Sequence, residues 1–465
     1  QGGFCTMFKP HRHLIALVVI MLICGMLAAC SGGNKTNTNT NNTGTNTEPT
    51  NNTPANEQQE PETTPEPEPE PEPVELAAYS NLSDADFEAR FAKTVTAKYP
   101  HISFKHYSSA IRNLVDTIEV DAVTPDIGYG ANLADYRGGF LKYELGRDIT
   151  DLANAAGFDL NQFDPGALQT IRNFSDGKLF GLPQISNPIV LFYNKDIFDA
   201  FNVPYPTDGM TWDQVYELAQ QVTGEKDGKK YIGFGSFHTF LFGSNQQSLP
   251  LIDNETGQAA VNNDGFKKLV ENLLRFYQIP GIAEGYNPDG NGNDDLVRFY
   301  EQKDVAMIVS LLSSVNRPGF ETVNWDMVTA PTFADLPNTG FQDVGLNFNF
   351  ISSQSEHPEE AFQALAQYYS EENQIELAKL MVVTPLVNEK VRQALGEAEK
   401  LKGKNVMAVY GLPLAPTPKP HPTITVDAQG LFAKQFSKLI TGQHASVDDM
   451  LAAAEADINA AIAGQ

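Results

Sequence analysis

The sequence predicts an α/β protein of two domains. Two observations predict it. Short apolar runs of strand length alternate with helical patterns of period 3.6. The globular stretch from residue 75 to residue 465 is long enough for two cores. Taken in order, 84–99 reads as an amphipathic helix with Phe87, Phe91 and Val95 on one face. Residues 101–107 and 126–129 read as strands. Residues 181–193 form a strand-like run broken at Asn187-Pro188. Thr211 is a helix N-cap with Asp213 in the first turn. The continuous apolar run 305–312 is a buried strand, and 358–369, 373–380 and 447–462 are helices by period. No internal repeat is visible.

The N-terminal part is different. Lys9 and Arg12 precede an apolar run over 14–27, which ends in Leu27-Ala28-Ala29-Cys30. This is the pattern of a secretory leader with a small-residue cleavage site, occupying 1–29, with Met7 as the expected translation start. The alternative is a transmembrane anchor, but the run is short for a span of ~20 residues. Leu-Ala-Ala-Cys resembles a bacterial lipobox, which makes Cys30 a lipidated N-terminus. Residues 31–73, rich in Asn and Thr and then in Pro and Glu, hold almost nothing apolar to offset chain entropy. The Pro-Glu part (61–73) reads as an extended spacer of about 40 Å at ~3 Å per residue. The linker is thus expected over 30–74.

The formal charge is −26; removing 1–29 removes two cations and no acid, so −26 − 2 gives −28 for the remainder. Such a surface repels nucleic acid and anionic headgroups. Cys5 and Cys24 leave with the leader, so neither a disulfide framework nor a cysteine metal site is expected.

Residues 176–223 carry a family resemblance. Asp176-Gly177-Lys178-Leu179-Phe180-Gly181-Leu182-Pro183, Tyr193-Asn194-Lys195-Asp196 and Thr211-Trp212-Asp213-Gln214 resemble, in order, three motifs of the family 1 extracellular solute-binding proteins. These are the maltose-binding-protein-like receptors of ABC importers. Thr124-Pro125-Asp126-Ile127, Val305-Ala306-Met307, Thr329-Ala330-Pro331, His357-Pro358-Glu359-Glu360-Ala361 and 446–458 extend the likeness along the chain. The resemblance implies a two-lobed periplasmic-binding-protein fold, type II-like, with discontinuous lobes joined by three hinge crossings. The crossings are expected near 186–189, 345–349 and 392–402. The N-terminal lobe then comprises 75–187 and 346–395, and the C-terminal lobe 188–345 and 396–465. It also implies carbohydrate capture, with an oligosaccharide as the expected cargo, and delivery to a membrane permease by a lipid-anchored monomer on the extracellular face of the cell membrane.

A sugar cleft needs aromatic faces, amides and carboxylates. Where the family places its contacts, this chain offers Ser80 and Asn81 after the first strand, Tyr129 and Asn132 after the 126–129 strand, and Asn187 at the first crossing. The aromatic loop 237–240 adds Phe237, His238 and Phe240, and the second crossing adds Asn347 and Asn349. Three of these have a plainer reading: Tyr129 as a core residue, Asn187-Pro188 as a turn, one of the 237–240 aromatics as core. Ser313 stands where the family commonly has a Trp. Trp212 and Trp325 read as packing residues, and Tyr410 as a loop aromatic in the Pro-rich 410–422 stretch. Asn287, Asp289, Asn291, Asn293 and Asp295 alternate like the front half of a Ca²⁺ loop, but Arg298 replaces the bidentate acid; the alternative is a solvated turn. No other cofactor is expected, and no histidines stand at metal spacing. The sequence lacks a Gly-x-Ser-x-Gly elbow and a His-Glu-x-x-His motif. The expectation is a binder rather than an enzyme; a lipid-tethered carbohydrate-active enzyme or a surface carbohydrate sensor or adhesin is the alternative.

Overall fold

A computed structural model describes residues 71–465, apart from 110–112, 186, 285, 288, 290, 291, 345 and 346. Cys30, the leader, the spacer up to 70 and Asn291 therefore lie outside the described residues.

Among the described residues eleven strands follow one another: β1 (Val74–Ser80), β2 (Ile102–Ser108), β3 (Ile127–Ala131), β4 (Leu182–Gln184), β5 (Ile189–Asn194), β6 (Gly224–Lys226), β7 (Lys229–Tyr231), β8 (Gly235–Ser236), β9 (Met307–Leu311), β10 (Trp325–Thr329) and β11 (Asn347–Ile351). They form a five-stranded sheet in the order β2-β1-β3-β11-β4, a four-stranded sheet in the order β10-β5-β9-β8, and the β6-β7 hairpin. In the larger sheet β1 pairs in parallel with β2 and β3, while β11 runs antiparallel to β3 and β4. The central strands β3, β5 and β9 are buried along their whole length, which is why they read as unbroken or near-unbroken apolar runs.

Helices cover both sheets. The chain is helical from Asp84 to Lys98, with a wider π turn over Glu88–Ala92; Ser83 caps it by accepting from the Asp86 amide. Phe87, Phe91 and Val95 are its buried face, as the period predicts. Thr211 and Gln214 form a reciprocal capping box at the helix Trp212–Gln221. Trp212 and Trp325 are both core residues; the Trp212 indole donates to Gln246 Oε1 at 3.1 Å.

Two hydrophobic cores result. One contains Leu76, Phe91, Tyr129, Phe140, Phe350 and Leu365; the other contains Phe192, Phe234, Phe276, Ile308, Trp325 and Phe432. The chain passes from the first to the second between Leu182 and Ile185, and returns between Phe341 and Phe348. The third changeover starts earlier than the expected 392–402: Ala378 and Val383 already pack in the second core, Leu386 packs in the first, and Ala394 and Leu395 pack in the second. The cores share this stretch because the helices Glu371–Lys379 and Glu389–Ala394 pack on each other.

A further tie joins the lobes. Thr417 donates from its amide to Thr170 Oγ1 at 2.9 Å, Asn173 Nδ2 donates to the Thr417 carbonyl at 2.9 Å, and Arg137 Nε donates to the His421 carbonyl at 3.0 Å. Gly166 permits the approach. A Cβ there would lie 1.8 Å from the Leu414 carbonyl oxygen.

Candidate functional site

Strand directions place the site. In the larger sheet the carboxyl ends of β1, β2, β3 and β4 and the amino end of β11 share one edge, bringing Ser80, Ser108, Ala131, Gln184 and Asn347 into line. In the smaller sheet the start of β5 and the carboxyl ends of β8, β9 and β10 share one edge, at Ile189, Ser236, Leu311 and Thr329. Only residues 185–188 separate β4 from β5, so the two edges meet at the crossings. Carboxyl ends of strands in open α/β sheets, and the seam between two domains, are where ligands settle.

A polar strip runs along this seam. The Asn187 amide donates to Asp343 Oδ1 at 2.9 Å. Asn187 Nδ2 donates to Ser313 Oγ at 2.7 Å, and the Ser313 amide donates back to Asn187 Oδ1 at 3.0 Å. Two residues far apart in sequence, both expected at the site, are thereby brought together, with Ser313 exposed. Asn347 sits opposite Gln184 in the β11-β4 pairing. Gln184 Nε2 donates to the Tyr368 hydroxyl at 3.3 Å. Gly130 has φ +64°, and a Cβ there would stand 3.0 Å from Gln184 Oε1 and 3.2 Å from Asn81 Oδ1. Glycine is what lets these two amides approach across β3. Asn81 itself is exposed.

Other expected residues are placed in scaffold roles. Tyr129 is 2 % exposed and packs edge-on against Phe91 and Tyr368 at 5.3 and 5.1 Å. Burial holds its phenol well above the ordinary range. Asn349 is fully buried; its Oδ1 accepts from the Gly130 amide at 2.8 Å and its Nδ2 donates to the Tyr369 hydroxyl at 2.6 Å. Asn132 is half-buried and closes a capping box with Asp135. Ser80 is buried beside His106, Oγ to Nε2 2.7 Å, and the other ring nitrogen lies 2.7 Å from Asp84 Oδ1. His238 is also fully buried, between the hydroxyls of Tyr286 and Ser437 at 3.5 and 3.3 Å. Desolvation pushes its imidazole down to about 3, so it is neutral at physiological pH. Phe237 and Phe240 stand edge to face with centroids 4.6 Å apart; Phe237 is nearly buried and Phe240 half-exposed. The Tyr410 ring lies under the Arg392 guanidinium, 4.9 Å away.

The acidic loop does not assemble a cation site among the described residues. Asn287 Oδ1 accepts from the Asp289 amide at 3.0 Å, a local turn. Asn293 Oδ1 accepts from Arg317 at 3.3 Å. Asp295 points into the core, accepting from the Tyr277 hydroxyl at 2.7 Å and the Ser236 amide at 3.2 Å. Burial raises its carboxyl to about 6. Its oxygens serve the fold, because the helix opening at Asn293 turns the side chain inward.

The sequence reading passed over Gln184, Asp343 and Tyr368. Gln184 and Asp343 had a signal: each is a polar residue next to an expected crossing. Tyr368 had none, since its place near Gln184 depends on how the helix Pro358–Tyr368 packs on the sheet.

Two α/β lobes meeting strand end to strand end across short crossings define a two-lobed ligand receptor. Residues 146–375 match the family model for bacterial extracellular solute-binding proteins. The match covers just under half of the chain and supports the resemblance to the family 1 extracellular solute-binding proteins read from the sequence. It is 26 % identical over 345 residues to the arabinooligosaccharide-binding protein of Bacillus subtilis (strain 168), covering 70 % of this chain and 74 % of that one. Among solved structures it is similar to the sugar-binding protein MalE of Xanthomonas citri, with a TM-score of 0.64 and 16 % identity over 84 % of this chain and 98 % of that one. It is similar also to the cyclic alpha-maltosyl-1,6-maltose binding protein of Arthrobacter globiformis, with a TM-score of 0.62 and 17 % identity over 84 % and 100 %. These likenesses confirm the two-lobed α/β fold expected from the sequence.

Proposed function

We propose that the protein is the carbohydrate receptor of an ABC importer. It takes an oligosaccharide between its lobes and hands it to a membrane permease. The observation that carries this reading is the seam itself: amides of Asn81, Gln184, Asn187 and Asn347 line two facing sheet edges, with the Phe237–Phe240 pair following β8 on the C-terminal side. Planar amides match sugar hydroxyls, and an aromatic face matches the apolar side of a sugar ring. The sugar-binding relatives support the same class of ligand. Ligand touching both edges stabilises a closed arrangement, so binding shifts the lobes toward closure.

Lipid on Cys30 holds the receptor at the extracellular face of the membrane. The stretch 31–73 then sets the reach of the cleft and its effective concentration near the permease. One receptor copy is sufficient for this task, because both walls of the seam come from one chain. Among the described residues no helix is long and apolar enough to cross a membrane.

The test is calorimetry against a panel of oligosaccharides, with product analysis in parallel. Saturable heat without turnover is expected. Phe240→Ala should weaken the best ligand roughly tenfold, on the order of 1.4 kcal/mol for a lost aromatic contact. Retention of full affinity removes Phe240 from the site. Binding to no glycan in a broad panel, or glycan turnover, overturns the reading.

A further inference from the structure

A second cavity opens between the lobes, with a different chemistry from the amide strip. It has a volume of about 380 Å³ and is lined by Arg90, Asn316, residues 379–382 and residues 398–400. Arg90 belongs to the first helical segment of the N-terminal lobe. Asn316 ends the 3₁₀ segment Leu312–Asn316 that follows β9 in the C-terminal lobe. One element is common to the cavity and the strip, the segment that carries both Ser313 and Asn316. Asn316 lies one 3₁₀ turn beyond Ser313.

The charge here runs against the rest of the chain. The sequence holds 58 acids against 32 Lys and Arg. Yet Arg90, Lys379 and Lys400 line this cavity, with Glu399 as the lining acid. Lys379 is committed to Glu376 at 2.9 Å and Glu397 at 3.7 Å, and Glu399 is committed to Lys402 at 2.8 Å. Arg90 has only a long contact, 3.8 Å, to Asp86. Lys400 Nζ donates to the Asn316 amide oxygen at 2.7 Å rather than to a carboxylate. The two least committed cations therefore come from opposite sides of the seam.

We infer that Arg90 and Lys400 form an anion subsite, and that the preferred ligand is an oligosaccharide carrying a carboxylate, a uronic acid residue, at the end that enters this cavity. The inference rests on the carbohydrate reading and narrows it. A guanidinium binds a carboxylate through a planar, two-point contact, and Lys400 adds a point charge from the other wall. Closing the lobes brings both cations to the one anion and removes water, which strengthens each attraction. The neutral residues of the ligand lie along the amide strip.

The experiment uses the whole chain and three probes: tri-galacturonate, its fully methyl-esterified form and a sulfated galactotriose that carries no carboxylate. Calorimetry is run at low and high salt on the wild type, Arg90→Gln and Lys400→Gln. The free acid is expected to bind about tenfold or more tightly than the ester, and salt should weaken the acid selectively. Each variant should cost the acid about tenfold and leave the ester within about twofold. Lys400 is exposed, so its variant keeps the test valid should Arg90→Gln perturb folding. Equal affinity for acid and ester, or variants without effect on the acid, overturns the anion subsite and leaves the carbohydrate reading standing. Preference for the sulfated probe overturns the carboxylate assignment. Failure of every glycan, neutral or acidic, overturns both.

Discussion

Beneath the two facing edges lie two buried polar networks built from different groups. Under the N-terminal edge, Tyr129, Tyr368, Tyr369, Asn349 and Gln184 bond to one another and to backbone at Gly130 and Pro183. Burial raises all three phenols, so nothing in that network titrates near neutrality. Under the C-terminal edge, Asp295, Tyr277 and Ser236 join through short bonds, and His238 sits between Tyr286 and Ser437. This second network contains a carboxyl and an imidazole, both fully desolvated. The first network fixes the cleft edge by geometry alone. The second makes the firmness of its edge depend on protonation.

The largest effect should come from breaking the neutral network. Asn349→Ala removes two bonds at once: it strands the Gly130 amide in the core and takes the donor from the Tyr369 hydroxyl, which keeps its own bond to the Pro183 carbonyl. A loss of about 2–4 kcal/mol is expected, because the stranded amide costs ~1–3 kcal/mol and the lost bond to Tyr369 adds about 1 kcal/mol. Urea unfolding measures it, and the loss should be the same at pH 5 and pH 7. A loss below about 1 kcal/mol would mean that other partners replace the amide.

The ionisable network should reveal two opposed slopes. Asp295 has its pKa raised to about 6, against ~3.9 when unfolded. Its folded form binds the extra proton, so its contribution falls as pH rises from 4 to 6. His238 is pushed down to about 3, against ~6.5 unfolded. Its folded form binds fewer protons, so its contribution falls as pH drops from 6.5. Over pH 4–6 the two largely cancel. Asp295→Asn should therefore leave a protein that loses stability toward acid, and His238→Gln one that loses it toward neutral pH. Each slope should approach ~1.4 kcal/mol per pH unit, or about 2–3 kcal/mol over the window. Melts at half-unit pH steps test this. Parallel profiles for both variants and the wild type would remove the contrast between the lobes.

The same contrast explains what was legible in the sequence. The fold was readable because both sheets rest on strands buried on two faces and on helices with clear caps, such as Thr211–Gln214. Motif order then supplied the two-lobed arrangement. The site was readable at strand ends and crossings, where a polar residue interrupts an apolar run: Asn81, Asn187, Ser313 and Asn347. It was misleading where a polar residue lies two positions inside such an end. Tyr129 belongs to a strand buried throughout and Asn349 to one buried from Phe348 onward, so their polar atoms turn to each other's neighbours instead of to the cleft. His238 was drawn inward by the helix Ala428–Ile440, whose Phe436 ring lies 5.1 Å away. Asp295 looked like a metal ligand because alternation in sequence does not reveal that a helix begins at Asn293. Arg90 and Lys400 carried no signal, since 310 residues separate two cations that only tertiary packing puts around one cavity.

The smallest effect on stability should come from the bridge between the two edges, and it bears most directly on ligand. Asn187 and Ser313 exchange two bonds at a partly solvated seam, so water can replace either partner. Asn187→Ala should cost no more than about 1 kcal/mol in unfolding experiments. Ser313→Ala should cost less, because the Ser313 amide keeps its acceptor in Asn187 Oδ1 and only the hydroxyl contact is lost. The double variant should then show a coupling of about 0.5–1 kcal/mol, the value of the shared side-chain bond. Glycan affinity should respond more steeply than stability in Asn187→Ala. On the proposed reading the amide contacts the glycan, and without it the first crossing also loses the clamp that holds the β9 end against it. Calorimetric affinity that falls no further than the stability would make Asn187 a structural brace, and would shift the weight of recognition to Asn81 and Gln184 on the other edge.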